Sequence, residues 1–410
     1  MHLAVIGGGW AGLAAAVEAT RMGAQVTLFE AGRGLGGRAR CVALDGQRLD
    51  NGQHILLGAY RSTLDLMRQV GADPERLLAR HPLRVCDNTG FKLALPRLPA
   101  PLHVAFGLLG ARGVGLAEKL RTAVWMQGVQ WRGFRLAADT SVAAWLDAAG
   151  QTGHLRRHLW EPLCLAALNT RPEHASAQLF ANVLRDSLGS ACRADTDLLL
   201  PRVDLGQLLP EPAAAWLHRQ GCDLRLGRRV HQLAPGASGV TVDRESFDGV
   251  ILATAPQHAA ALSPGLGIDF TYEAIATVYL RYPEKTALPF PLLSLHGKIG
   301  QWVVDRGNGL LAGVFSGHGA WEALDDTALA DALHTELGLQ PAPAWHRIIR
   351  EKRATFSARP GLAFPKARPD WRTSHPGLVL AGDYTWSDYP ATLEGAVRSG
   401  QRAARALLAR

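Results

Sequence analysis

An α/β fold built on a parallel sheet, joined to a second lobe of α+β character, is what the two ends of this chain predict. Three observations carry that reading. Residues 3–30 run strand, glycine turn, helix, strand; residues 378–408 repeat the passage from strand to helix; and between them Val230–Leu233 and Gly249–Pro256 read as further strands of the same sheet.

Leu3–Ile6 is a short apolar run suited to a buried strand, and Gly7-Gly8-Gly9-Trp10-Ala11-Gly12 follows at once, opening an Ala-rich helix that reaches about Met22. Gly7, Gly9 and Gly12 fill the G-x-G-x-x-G pattern: one glycine for the tight turn, one for close approach of backbone to a pyrophosphate, one for close packing of helix on strand. The helix N-terminus near Trp10 and Ala11 then aims free amides and its positive dipole end at that pyrophosphate. Gln25–Phe29 forms the second strand and ends on Glu30, beside Ala31. An acid there accepts hydrogen bonds from ribose hydroxyls and repels a 2′-phosphate, which disfavours NADP.

Gly32-Arg33-Gly34-Leu35-Gly36-Gly37-Arg38 supplies a second glycine-rich loop, with Arg38 as a forked cation for phosphate. This second clamp points to FAD rather than NAD; the competing reading is a surface loop with a solvated arginine. At the far end Leu378–Ala381 is a strand stopped by Gly382-Asp383. Asp383 suits a ribityl or ribose hydroxyl, and Pro390 suits the first turn of a helix with apolar residues at Leu393, Ala396, Val397, Ala404, Leu407 and Leu408. Its N-terminus, at Ala391, Thr392 and Leu393, is placed to meet the negative edge of a reduced flavin. The strand ends at Val230 and Ala253 complete the expected cradle.

These motifs resemble the flavin amine oxidase and carotenoid desaturase superfamily over nearly the whole chain. More narrowly, DNGQHILLGAY (residues 50–60, with Gly52, Gln53 and His54), LLLPRVDLG (198–206), GQWVVDRG (300–307), EKRATFSARPG (351–361) and AGDYTWSDYPATLEGAVRSG (381–400) are similar to the hydroxysqualene dehydroxylases, a family of bacterial hopanoid pathways. The resemblance implies a Rossmann-type FAD-binding domain assembled from residues 1–81, 200–256 and 370–410. A substrate domain of 82–199 and 257–369 then carries a mixed sheet and covering helices. It further implies non-covalent FAD, since no cysteine lies near the C-terminal motif. The implied reaction is reductive conversion of hydroxysqualene to squalene, with a separate electron donor that no motif specifies. Acid-assisted loss of the allylic hydroxyl followed by hydride transfer needs a proton donor, and His54, Asp305, Asp388 and Tyr389 lie in the strings that flank the flavin. Structural roles compete for each: a flavin or backbone contact for His54, pairing with Arg306 for Asp305, helix capping for Asp388. An FAD-dependent polyene desaturase or amine oxidase, and an isoprenoid-binding escort protein without catalysis, share the same architecture.

Within the second lobe Thr271–Leu280 and Gln301–Val304 read as strands of a sheet roofing the flavin. Residues 97–135 carry Arg97, Arg112, Lys119, Arg121, Arg132 and Arg135 against the single acid Glu118, interleaved with large apolar side chains. That pattern suits either a helical lid with a core-facing apolar side or a segment lying in a membrane headgroup layer.

Composition bounds the rest. The 410 residues are 47% hydrophobic and 20% charged, an ordered chain long enough for two lobes. A net charge of +8 is compatible with a polyanion, yet the basic residues are dispersed and no nucleic-acid motif is present, so no nucleic-acid partner is expected. No apolar run spans a membrane and no signal peptide precedes the first strand, which predicts a cytoplasmic protein, at most peripheral on the inner membrane face. Cys41, Cys86, Cys164, Cys192 and Cys222 are odd in number and lack a C-x-x-C pair, so buried reduced thiols are expected, with neither disulfides nor a metal site.

Overall fold

The computed structural model describes residues 1–236, 239–266, 269–296, 301–364, 367–385 and 387–409; Gly300 and Trp386 of the strings quoted above lie outside the described residues. His2–Ile6 and Gln25–Glu30 pair in parallel, and His2–Ile6 also pairs in parallel with Gly249–Leu252. Asp223–Leu226 and Leu378–Leu380 close the two edges, so the sheet order is 223–226, 25–30, 2–6, 249–252, 378–380, all parallel.

Both faces of this sheet are buried, which is why its strands read as continuous apolar runs. Leu3, Val5, Val26 and Leu28 point to the layer formed by the helices Trp10–Arg21 and Leu393–Leu408; Ala4, Ile6, Val250 and Leu252 point the other way, toward Val240, Val242 and Phe247. These last belong to a small antiparallel sheet of Leu233–Gly236, Gly239–Val242 and Glu245–Phe247. The two helices touch where Gly400 meets the backbone of Ala11 and Ala15.

Three sequence expectations change here. Val230–Gln232 is not a strand of the parallel sheet. The strand begins at Leu233 and joins the antiparallel ribbon, because its residues pair with the next strand in sequence, from Leu233 with Val242 to Gly236 with Gly239. The strand from Gly249 stops at Leu252, and Pro256 starts a helix at its N1 position instead of ending the strand. The C-terminal helix starts at Leu393, after Pro390, because Thr392 caps it by accepting from Gly395 N at 3.1 Å.

The second sheet runs Leu292–Ser294, Trp302–Asp305, Leu310–Ser316, Tyr272–Arg281, Trp345–Phe356. All its pairings are antiparallel where a mixed sheet is expected; the close connection from Asp305 to Leu310 forms a hairpin, and the two pairings of Tyr272–Arg281 join strands distant in sequence. The helix Asp326–Leu337 covers one face through Leu329, Ala330 and Leu333. The second lobe also has a helical region that includes Leu102–Leu109, Leu116–Trp131, Glu161–Leu168 and Ala177–Asp186. The basic segment thus forms two helices. They expose Leu102, Phe106, Leu109, Leu116, Leu120, Val124 and Trp131, while Glu118 turns inward to accept from Leu155 N at 2.6 Å.

No helix among the described residues is long and apolar enough to cross a membrane. All five cysteines are free, but only Cys164 and Cys222 are fully buried and Cys192 is exposed; Cys192 precedes a short 3-10 turn, Arg193–Thr196, outside the core elements.

Candidate active site

The C-terminal ends of the parallel strands open onto a cavity of about 840 Å³, the place where open α/β sheets bind ligands. Gly7 turns the chain there with φ +109, and a Cβ on Gly12 would stand 1.8 Å from Gly7 O, so these two glycines are demanded by the turn and by helix-on-strand packing. Gly9 differs. A Cβ on it would meet only Gly37 Cα, at 3.8 Å, and would otherwise enter the cavity. The helix that follows has Gly9 as its N-cap and no side-chain cap, which leaves its first amides free for a bound anion.

Glu30 sits at the rim with Oε2 accepting from Gly8 N at 2.7 Å and Oε1 from Gly32 N at 2.6 Å. Each oxygen keeps a further lone pair for a sugar hydroxyl. The second glycine loop lies directly on the first, through Gly36 N to Gly8 O at 2.8 Å. Arg38, expected on phosphate, gives its Nη2 to both oxygens of Asp383 at 2.7 Å and its Nη1 to Ala354 O at 2.6 Å. The cation therefore links the N-terminal loop to the C-terminal motif and to the second sheet.

At the other end the cavity is bounded by Ala391, Thr392 and Leu393 at the start of the C-terminal helix, and by Gly52, Gln53 and His54. Gln53 Nε2 donates to Tyr279 Oη at 2.7 Å, which donates to Asp50 O at 2.8 Å. Glu394, in the first helical turn, is buried and accepts from Thr63 N at 2.9 Å and Thr63 Oγ1 at 2.8 Å. This anchors the capped helix start beneath the cavity floor. His54 is held neutral: burial, with the charge of Arg38 adding to it, pushes its pKa down to about 4.

Of the residues singled out from sequence for the cofactor, Gly7, Gly9, Trp10, Ala11, Glu30, Ala31, Gly36, Gly37, Arg38, Gly52, Gln53, His54, Val230, Ala253, Gly382, Asp383, Ala391, Thr392 and Leu393 line this one cavity, and Gly12 packs behind it. Of the four candidate acids only His54 lines it. Asp305 caps a hairpin, accepting from Leu288 N at 2.9 Å and Gly307 N at 2.8 Å. Asp388 is exposed with Arg185 at 3.6 Å, and the Arg398 guanidinium lies 4.7 Å above the Tyr389 ring.

Sequence reasoning passed over Tyr384 and Thr254. Both line the cavity, and Tyr384 Oη and Thr254 Oγ1 are buried with no hydrogen-bond partner. Buried hydroxyls are rarely orphaned, so these two fit a polar ligand seated between the glycine turn and the C-terminal helix. Tyr384 follows Gly382-Asp383 directly, but nothing in the string says that its hydroxyl is buried without a partner beside the cavity.

Comparison with known proteins gives the family of the chain. The family model for flavin containing amine oxidoreductase matches residues 10–408. The hydroxysqualene dehydroxylase of Rhodopseudomonas palustris is 33% identical over 431 aligned positions, covering 99% of this chain and 98% of its own. That of Sinorhizobium fredii is 31% identical, covering 98% and 96%. A probable zeta-carotene desaturase of Synechococcus elongatus is 25% identical, covering 100% and 98%. Among solved structures, a putative protoporphyrinogen oxidase from Exiguobacterium sp. 255-15 superposes with a TM-score of 0.71 at 19% identity, covering 100% of this chain and 98% of its own.

Proposed function

Since the chain belongs to the flavin containing amine oxidoreductase family and is an FAD-dependent oxidoreductase, we propose that it reduces hydroxysqualene to squalene with non-covalently held FAD. The observation that carries the substrate is the near full-length similarity to hydroxysqualene dehydroxylases; that none of the five cysteines lines the cavity supports the non-covalent mode. Reduced FAD, when bound, supplies the hydride that replaces the departing hydroxyl.

The protein's part is binding, orientation and proton placement. Gly9, Gly37 and the free amides at Trp10 and Ala11 hold the pyrophosphate, Glu30 the adenosine ribose, and the Arg38–Asp383 pair the ribityl side. The capped helix start at Thr392–Leu393 turns its positive end toward the flavin ring. Loss of an allylic hydroxyl as water consumes one proton and leaves a delocalised cation, which would lie against the apolar wall of Ile275, Leu262 and Leu393. His54 is neutral at physiological pH, so it acts as a hydrogen-bond donor to the hydroxyl. Burial pushes the Tyr384 phenol pKa up, so this orphaned hydroxyl keeps its proton and serves as a second hydrogen-bond donor to the departing oxygen.

The substrate enters from lipid. The exposed apolar residues of Leu102–Leu109 recur at positions 102, 106 and 109, and those of Leu116–Trp131 at 116, 120, 124 and 131, one stripe on each helix. Exposed Arg97, Arg112, Arg121, Arg132 and Arg135 surround them. We place this face on an anionic membrane.

The test is anaerobic: the reduced holoenzyme is mixed with hydroxysqualene while flavin absorbance and extracted lipid are followed. Stoichiometric squalene with return of oxidised flavin is expected, and Tyr384→Phe should slow it by about 100-fold or more. A flavin that stays reduced beside unchanged hydroxysqualene refutes the reading and moves the enzyme to the desaturase side, where the similarity to zeta-carotene desaturase predicts flavin reduction by a polyene instead.

A further inference from the structure

Away from the cavity, three residues far apart in the chain converge in the second lobe. Asp87 opens the turn of the hairpin Arg84–Cys86/Lys92–Ala94, His158 sits in a single π-helical turn, Arg156–Trp160, and His296 follows the strand Leu292–Ser294. Asp87 Oδ2 lies 2.6 Å from His158 Nδ1 and 3.5 Å from His296 Nε2, and the three atoms all lie within 4.8 Å of one another. We propose that Asp87, His158 and His296 form a binding site for a divalent cation of the zinc type.

Three features support a metal over a hydrogen-bonded core. First, the carboxylate is held from behind: Asp87 Oδ1 accepts from Thr89 N at 2.8 Å, Thr89 Oγ1 at 2.8 Å and Phe91 N at 3.0 Å. That leaves Oδ2 directed at the two imidazoles, the support a metal-binding carboxylate needs. Second, His296 Nε2 is buried and has no hydrogen-bond partner, while its backbone N is fixed by Asn88 Oδ1 at 2.9 Å. A buried imidazole nitrogen that faces a carboxylate oxygen at 3.5 Å without making a hydrogen bond to it is costly unless something else coordinates it. Third, His158 is brought to this point by the π turn, a local distortion that an α-helix does not adopt without a reason, and Phe91 stacks on its ring at 5.3 Å.

The geometry is near that of a loaded site. Ligands at about 2.0–2.1 Å in a tetrahedron stand about 3.3 Å apart, close to the observed 3.5 Å between Asp87 Oδ2 and His296 Nε2. The 2.6 Å pair is shorter, so metal loading releases the proton shared by His158 Nδ1 and Asp87 Oδ2 to solvent and opens that edge by about 0.7 Å. Two nitrogens and one oxygen suit zinc and its first-row neighbours rather than calcium or magnesium. The cation would pin the hairpin, the π turn and the strand end to one another. None of the three residues lines the flavin cavity, so the site stands independently of the dehydroxylase reading.

The test uses the flavin-loaded protein, stripped with a chelator and titrated with zinc against a chromophoric competitor. One zinc per chain is expected, with proton release, and His296→Gln should weaken it at least tenfold while flavin content and metal-free thermal stability stay the same. X-ray absorption of the wild-type zinc complex needs no variant and should show a nitrogen and oxygen shell with imidazole scattering. A sulfur-containing shell, zinc binding unaltered in His296→Gln and in His158→Gln, or no binding at micromolar zinc overturns the assignment.

Discussion

Gly400→Ala sets two effects of known size against each other at the contact that positions the glycine turn. Alanine is the better helix former, and the change from glycine inside Leu393–Leu408 is worth about 1 kcal/mol in its favour. Against that, the new Cβ would stand 2.0 Å from Ala11 O and 2.9 Å from Ala15 N, where carbon–oxygen contact is comfortable at about 3.5 Å. Relief therefore requires the two helices to part by about 1.5 Å along that direction. Both obstructing atoms are backbone and cannot rotate aside. Overpacking of this kind costs about 3 kcal/mol, the upper end of the usual range. The clash wins, with a net loss of about 2 kcal/mol, or roughly 30-fold in the unfolding constant. Ala11 lines the cavity, so the same displacement should lower FAD affinity at least tenfold. The control is Gly128→Ala in Leu116–Trp131, where a Cβ meets only the mobile Arg132 guanidinium, at 3.5 Å. There propensity acts alone and stability should rise by about 1 kcal/mol. Urea unfolding by circular dichroism at fixed FAD, with bound flavin measured after gel filtration, checks both. If Gly400→Ala is as stable as the parent and keeps its flavin, the helix contact does not position the turn and the reasoning fails.

Three further outcomes are expected. Gly9→Val points its side chain into the cavity without a backbone clash, so the variant should fold with near-parental far-ultraviolet dichroism yet purify colourless; retained flavin would mean the pyrophosphate lies elsewhere. Burial raises the Asp50 carboxyl from 3.8 to about 6, against the pull of Arg306. The folded state therefore binds the proton more tightly than the unfolded chain, and the stability this contributes is present below about pH 4 and lost as pH rises through 6. Unfolding free energies measured from pH 4 to 7 should show a loss on the order of 3 kcal/mol that Asp50→Asn abolishes, and parallel profiles would exclude Asp50 as the source. The double variant Leu120→Glu/Val124→Glu alters side chains that are 52% and 74% exposed. It should leave thermal stability within about 0.5 kcal/mol but reduce sedimentation with phosphatidylglycerol vesicles at least tenfold, and unchanged vesicle binding would remove the membrane from the picture.

What could be read from sequence followed from how far apart the partners lie. The glycine turn, the acid at Glu30 and the strand-to-helix passage at Gly382 are local patterns, and the backbone obeys them because turn chemistry and burial act over a few residues. Val230 lines the cavity as expected, although its segment is not a strand: position along the chain was legible there and hydrogen-bond pairing was not. Arg38 shows the next limit. Its type and place suggest a phosphate ligand, but an arginine beside a buried carboxylate is drawn to it, and Asp383 is 345 residues away in sequence.

The choice among acids fails for the same reason. His54, Asp305, Asp388 and Tyr389 are equivalent as residues in motif-bearing strings, and only folding separates one that lines the cavity from a hairpin cap, an exposed ion pair and a ring under an arginine. Tyr384 is distinguished by what it lacks, a partner for a buried hydroxyl, and absence of a partner has no sequence signature. The Asp87–His158–His296 convergence is the same case at longer range. Metal motifs are recognised by close spacing, whereas here the ligands are separated by 71 residues in one step and further in the next. Function in this chain is thus written locally for the nucleotide, whose shape is fixed by backbone, and only three-dimensionally for the proton donor and the candidate cation site, which depend on which side chains remain unsatisfied once the backbone has folded.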